Sequence, residues 1–199
     1  MQNSLRYKKN NRYLYSKNQT YQHYMRHFIS YFNDSIKKHW DLPAVSNYGN
    51  RTYTYAQMAE EIEKYHILFE KSGIKKGDKV ALYARNSAEW CIAYFATLTY
   101  DAVTVPFLPD FLPSAVVELS TFSECKMLIL DDSATAAFES NPDLCDKLEE
   151  IKEFVGVINL MGIKVLRDTS NMLANSVANI ESIASSLHPD GFTPDCVNY

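Results

Sequence analysis

From about residue 28 onward, apolar residues fall alternately into helical stripes and short continuous runs. Phe28, Ile29, Phe32 and Ile36 recur at helical spacing and predict a short amphipathic helix ending near Trp40. Pro43 stops it. Ala44-Val45-Ser46 and Thr52-Tyr53-Thr54 read as short extended segments around a turn at Tyr48-Gly49-Asn50-Arg51. Thr54 then opens a longer helix, its hydroxyl placed to accept from the backbone N–H three residues on while Gln57 reaches back. Met58, Ile62, Tyr65 and Phe69 give that helix one buried face. Gly73 ends it, because glycine takes the left-handed conformation cheaply.

The pattern that follows is strand, helix, strand. Val80-Ala81-Leu82-Tyr83-Ala84 is an apolar run of strand length, and Asn86, with Glu89 three residues later, is expected to cap a helix carrying Trp90, Tyr94 and Leu98. Val103-Thr104-Val105 is the next strand, with Pro106 expected to stop it. Pro113 suits the first turn of a helix whose apolar face includes Val116 and Leu119. Met127 to Leu130 is a third strand, ended by Asp131-Asp132. A helix near Leu144 to Ile151 leads to a fourth strand at Phe154 to Ile158, and Leu173, Val177, Ile180, Ala184 and Leu187 form a last helical stripe. Apolar strands separated by helices predict an α/β fold: a parallel sheet flanked by helices on both faces.

The first two dozen residues break this pattern. They are rich in Asn, Tyr and Lys and show no period, so residues 1–24 are expected to be a disordered basic extension and 25–199 one α/β subdomain, an incomplete domain. Met25 is the expected natural start. Charge supports the division. Arg6, Lys8, Lys9, Arg12, Lys17 and Arg26 precede the first acid, Asp34, so the formal charge of -4 hides an acidic body. The rest carries fourteen positive charges against twenty-four negative, which argues against a nucleic-acid partner. No apolar run reaches the ~18–20 residues that cross a bilayer.

One segment, Thr52 to Val105, carries a resemblance that extends weakly through Met127 to Asp132. Its elements are Tyr53-Thr54-Tyr55 opening a helix, Gly73-Ile74-Lys75-Lys76-Gly77-Asp78-Lys79-Val80, Asn86-Ser87-Ala88-Glu89-Trp90, and Ala102-Val103-Thr104-Val105-Pro106. In this order and at these separations they resemble the start of the adenylate-forming superfamily: acyl-CoA synthetases, luciferases and peptide-synthetase adenylation domains. The family usually has Ala-Gly where this chain has Tyr100-Asp101, so Asp101 is expected to take glycine's left-handed conformation.

The resemblance implies a parent that uses ATP, Mg²⁺ and coenzyme A or a carrier thiol to activate a small-molecule carboxylate, a fatty acid first. It implies a cytoplasmic enzyme whose partner is the remainder of the same polypeptide. In the family, a segment like Pro194-Asp195-Cys196-Val197-Asn198-Tyr199 precedes the loop that wraps the ATP phosphates. Tyr199 is thus the one residue expected to lie near the nucleotide, with no catalytic residue, metal ligand or bound cofactor expected on this stretch.

Other constellations have blander readings. His23 and His27 stand four apart, a metal-binding spacing, but without supporting ligands they read as surface histidines. His39, His66 and His188 are isolated. Asp131-Asp132 could mark a receiver-like signalling domain, yet capping before Ser133-Ala134-Thr135 is the favoured role. Arg85-Asn86-Ser87 lies at the carboxyl end of a strand, where α/β sheets hold ligands, and reads first as a cap and turn. Cys91, Cys125, Cys145 and Cys196 form no C-x-x-C pair and read as reduced thiols. A binding or scaffold protein that keeps this fold without the chemistry is the remaining alternative.

Overall fold

The computed structural model describes residues 28–199, so the basic extension at 1–24, the start at Met25 and the His23/His27 pair lie outside the described residues. Helix α1 (Phe28–Lys38) precedes a small antiparallel hairpin, β1 (Pro43–Ser46) and β2 (Thr52–Thr54). Then come α2 (Tyr55–Lys71), β3 (Lys79–Tyr83), α3 (Ala88–Thr99), β4 (Val103–Phe107), α4 (Pro113–Phe122) and β5 (Cys125–Leu130). The chain continues through α5 (Asp132–Glu139), α6 (Asp143–Leu148), β6 (Gly156–Asn159), β7 (Lys164–Asp168), α7 (Leu173–Leu187) and a 3₁₀ turn at Pro194–Cys196.

The main sheet runs β4-β3-β5-β6-β7, parallel through the first four strands. Period-two alternation divides its side chains between two layers. Val80, Leu82, Met127, Ile129 and Ile158 face α2, α3 and α7, packing on Met58, Ile62, Phe69, Ile92 and Leu173. Ala81, Tyr83, Leu128, Leu130 and Val157 face α4, α5 and α6, packing on Val116, Val117, Phe138 and Leu148. Helix α1 lies outside the first layer. Its Ile36 packs with Ala59 and Val197, and its Phe32 stacks on Phe95 with centroids 4.0 Å apart.

Local signals hold where the physics is local. Thr54 and Gln57 form the capping box, and Gly73 has φ +80 just past α2. Asp101 takes φ +63, as the resemblance required, and Lys76 Nζ bonds its carboxylate at 2.7 Å. Four expectations are corrected. Ser87, not Asn86, caps α3, its Oγ accepting from the Trp90 N–H at 3.0 Å. Pro106 does not stop β4, which continues to Phe107, because β4 is an edge strand where a missing N–H removes no ladder bond. Leu119 and Leu187 are exposed rather than core-facing. Finally, β7 pairs antiparallel with β6, an edge the apolar pattern did not show.

His66 illustrates a satisfied, half-buried histidine. Its Nε2 lies 3.2 Å from the Ala96 carbonyl and 2.9 Å from Thr99 Oγ1. A carbonyl only accepts, so Nε2 carries the proton, and Thr99 gives its own hydrogen to the Phe95 carbonyl at 2.8 Å. The ring lies among Tyr100 and Tyr199. Burial pushes its pKa down to about 4, so the imidazole is neutral.

Candidate functional site

The registers Tyr83↔Phe107, Tyr83↔Leu130 and Leu130↔Asn159 bring the carboxyl ends of the parallel strands to one edge. Sequential strands reverse direction across the sheet at β3: β4 lies on one side of it and β5 on the other. The crevice between the ends of β3 and β5 is therefore the topological switch point, where open α/β sheets hold ligands.

Asp131 fills that crevice. Its Oδ2 accepts from the Arg85 backbone N–H at 2.9 Å and from Arg85 Nε at 3.4 Å. Its Oδ1 accepts from the Ala134 N–H at 2.8 Å and the Ser133 hydroxyl at 2.7 Å, which caps α5. Burial raises its pKa, but these donors and the Arg85 charge outweigh burial and hold the carboxyl below the usual aspartate range. Beside it, Asp132 Oδ1 accepts from Asn159 Nδ2 at 2.9 Å, and the same amide reaches Thr135 Oγ1 at 2.7 Å. Both aspartates of the receiver-like reading thus accept from this chain's own donors. Among the described residues no three His, Cys, Asp or Glu side chains are grouped to hold a metal ion.

The amino end of α3 is closed in the same way. Asn47 Oδ1 accepts from the Ala88 N–H at 2.7 Å, and Asn47 Nδ2 donates to Glu89 Oε2 at 2.8 Å. The Tyr53 hydroxyl donates to Glu89 Oε1 at 2.9 Å. Glu89 is 8% exposed. Burial raises its pKa, while the bonds from Asn47 and Tyr53 lower it more, so it is held ionised below the usual range. Tyr53, buried and bonded to that carboxylate, is pushed up to about 12. These bonds lock the β1–β2 hairpin onto the amino end of α3.

On the other side, the Tyr83 hydroxyl donates to the Phe111 carbonyl at 2.6 Å and orders the loop before α4. Asn47, Tyr53 and Asn159 went unread as edge residues. Their partners lie 24 to 42 residues away, and no short-range spacing signals them.

Tyr199 sits elsewhere, in the helical layer. Its hydroxyl donates to the Ala59 carbonyl at 3.4 Å, and its ring meets His66 edge-on with centroids 5.4 Å apart. Burial, then the Glu63 charge, pushes its pKa up. Arg85, Asn86 and Ser87 do lie at the carboxyl edge, with Arg85 and Ser87 serving as turn and cap. All four cysteines are free.

Comparison with known proteins places this geometry. Residues 32–187 match the family model described as AMP-binding enzyme. A crotonobetaine/carnitine–CoA ligase of Proteus mirabilis is 30% identical over 97 residues, covering 49% of this chain and 18% of the relative. A 4-coumarate–CoA ligase of Humulus lupulus is 27% identical over 138 residues, covering 69% and 22%. Among solved structures, the N-terminal domain of FACL13 from Mycobacterium tuberculosis has a TM-score of 0.58 at 22% identity, covering 77% of this chain and 36% of that one. At that identity the likeness shows the fold. The matched region spans about a fifth of the curated relatives' length.

Proposed function

Because this chain belongs to the family of AMP-binding enzymes, we propose that it is the structural lobe of an ATP-dependent acid–thiol ligase. The ligase activates a carboxylate as its acyl-adenylate and passes the acyl group to coenzyme A or a carrier thiol. The relatives named above are CoA ligases, which supports the reaction class. A fatty acid is the proposed carboxylate, and a fatty acyl CoA synthetase of Mycobacterium tuberculosis is among the solved structures that share this fold, at a TM-score of 0.57 and 22% identity. Free thiols fit a reducing compartment, the cytoplasm.

The lobe's own part is positional. The observation that carries this is the closure of the switch point by Asp131, which takes four hydrogen bonds from Arg85, Ser133 and Ala134. An ATP triphosphate does not fit there. It needs free donors and unpaired positive charge, while this crevice pairs its Arg85 with Asp131, adds Asp132, and has the N-termini of α3 and α5, which flank it, already capped. No step of the reaction is assigned to a residue of this lobe. ATP, Mg²⁺, coenzyme A and the reacting carboxylate are held by the rest of the parent polypeptide, packed against it. Tyr199, its hydroxyl on the Ala59 carbonyl and its ring against His66, is proposed to stand next to the parent's phosphate-binding loop.

Fatty-acid-dependent exchange of labelled pyrophosphate into ATP tests this reading. The 199-residue chain alone is expected to give background exchange, and the parent polypeptide that contains it to give exchange that rises with added fatty acid. Exchange by the chain alone, or none by the parent with any carboxylate, overturns it.

A further inference from the structure

Helix α4 has a second apolar face, which the described residues leave open to solvent. Val116, Val117 and Ser120 turn inward and are buried. Leu112, Ala115, Leu119 and Phe122 recur at intervals of three, four and three, so they share a different side of the helix over about 15 Å. Leu112 is 71% exposed, Leu119 39% and Phe122 86%. Glu118 is the one charged residue of the helix.

Leu112 supplies an independent sign that this face is used. It stands at the N-cap of α4 and makes no side-chain cap bond. Ser, Thr, Asp and Asn are strongly preferred at that position, because their side-chain oxygen accepts from an N–H of the first turn. A leucine there gives up that bond and adds apolar surface facing water. Both effects weigh against the monomer, so the residue calls for a reason outside it.

We propose that this face is the interface of a two-fold dimer of the chain. Its spacing reads the same from either end. An antiparallel copy therefore sets Leu112 of one helix over Phe122 of the other, and Ala115 over Leu119, a small residue receiving a large one. The area is sufficient. The exposed parts of Leu112, Leu119 and Phe122 amount to roughly 400 Å² of apolar surface, a size at which a patch is often functional. A little over half of an interface is apolar, so this core implies about 700 Å² from each copy, close to the roughly 800 Å² of a stable complex. With Glu118 as its only charge, the helix offers little for a charged partner to recognise. The proposal does not depend on the ligase reading.

Sedimentation equilibrium of the 199-residue chain, from about 1 μM to about 1 mM, tests the proposal. A monomer–dimer equilibrium with a Kd of roughly 1–100 μM is expected. Phe122→Glu is expected to weaken it at least about 10-fold. Leu112→Ser is expected to weaken it about 5- to 10-fold and yet raise the Tm of the dilute monomer by about 2–4 °C, because it restores the cap. A leucine that merely held the monomer together would show the opposite change in Tm. Tyr48→Ser, which removes a fully exposed ring from the β1–β2 turn, is expected to leave the equilibrium unchanged. A chain that stays monomeric to about 1 mM assigns the face to a different polypeptide and overturns the proposal. Association that runs past the dimer, a dimer indifferent to Phe122→Glu and Leu112→Ser, or equal weakening by Tyr48→Ser overturns it as well.

Discussion

Gly156→Ala is expected to destabilise the chain by about 3–5 kcal/mol, combining backbone strain with overpacking. Gly156 opens β6 with φ +153, a conformation that a residue with a side chain rarely adopts. A Cβ placed there would run into the backbone carbonyl of Arg167 on β7 and lie 2.8 Å from Leu173 Cδ2 on α7. The carbonyl is backbone and cannot rotate away, so β7 or α7 must move. With a domain's total stability of ~5–15 kcal/mol, a change of this size leaves little margin. Urea unfolding followed by circular dichroism measures it. Gly162→Ala is the control, since Gly162 has φ +72 with open space around it, so only left-handed strain of about 1–2 kcal/mol applies. Equal midpoints for the two variants would mean that β6 and α7 do not pack as described.

The second large effect is a loss of stability in mild acid, through His66. Its folded pKa of about 4 lies below the ordinary histidine value, so the unfolded chain takes up the proton first. Above about pH 6.5 both states are neutral and the contribution is fully present. As pH falls from there toward 4 the unfolded state is favoured increasingly, and below the folded pKa the loss is complete. Discounted for partial exposure, the loss is on the order of 2–3 kcal/mol. Glu89 and Asp131, with lowered pKa values, weaken the fold only further down, as pH falls below the ordinary carboxylate range. The upper part of the window therefore belongs to His66, and His66→Gln is expected to flatten it. A midpoint that falls equally between pH 6.5 and 5 in both proteins would assign the effect elsewhere.

Much of the fold was legible because it rests on short-range physics. Thr54 and Gln57, Gly73, Pro113 and the four buried strands act within a few residues of themselves. What stayed hidden depends on partners that only folding supplies. Strand β7 is an edge with two apolar residues, Val165 and Leu166, and its order comes from pairing with β6. Pro106 looked like a stop because its tolerance depends on β4 lying at the sheet edge.

The site was legible in outline only. That Asp131 caps a helix could be read from Ser133-Ala134-Thr135. That the same carboxylate also reaches the Arg85 backbone, 46 residues away, could not. Glu89 looked like the partner in a capping box and instead receives Asn47 and Tyr53 from the hairpin. These long-range bonds turn a generic α/β edge into a closed one.

Closure of the switch point is the claim on which the scaffold role depends. Titration of Mg·ATP into the isotope-labelled 199-residue chain tests it most directly, read at the backbone amides of Arg85 and Ala134, both of which donate to Asp131. The account predicts no saturable shift at either amide. A saturable shift of both, at nucleotide concentrations a working ligase would meet, would show that the crevice opens to nucleotide and would contradict it.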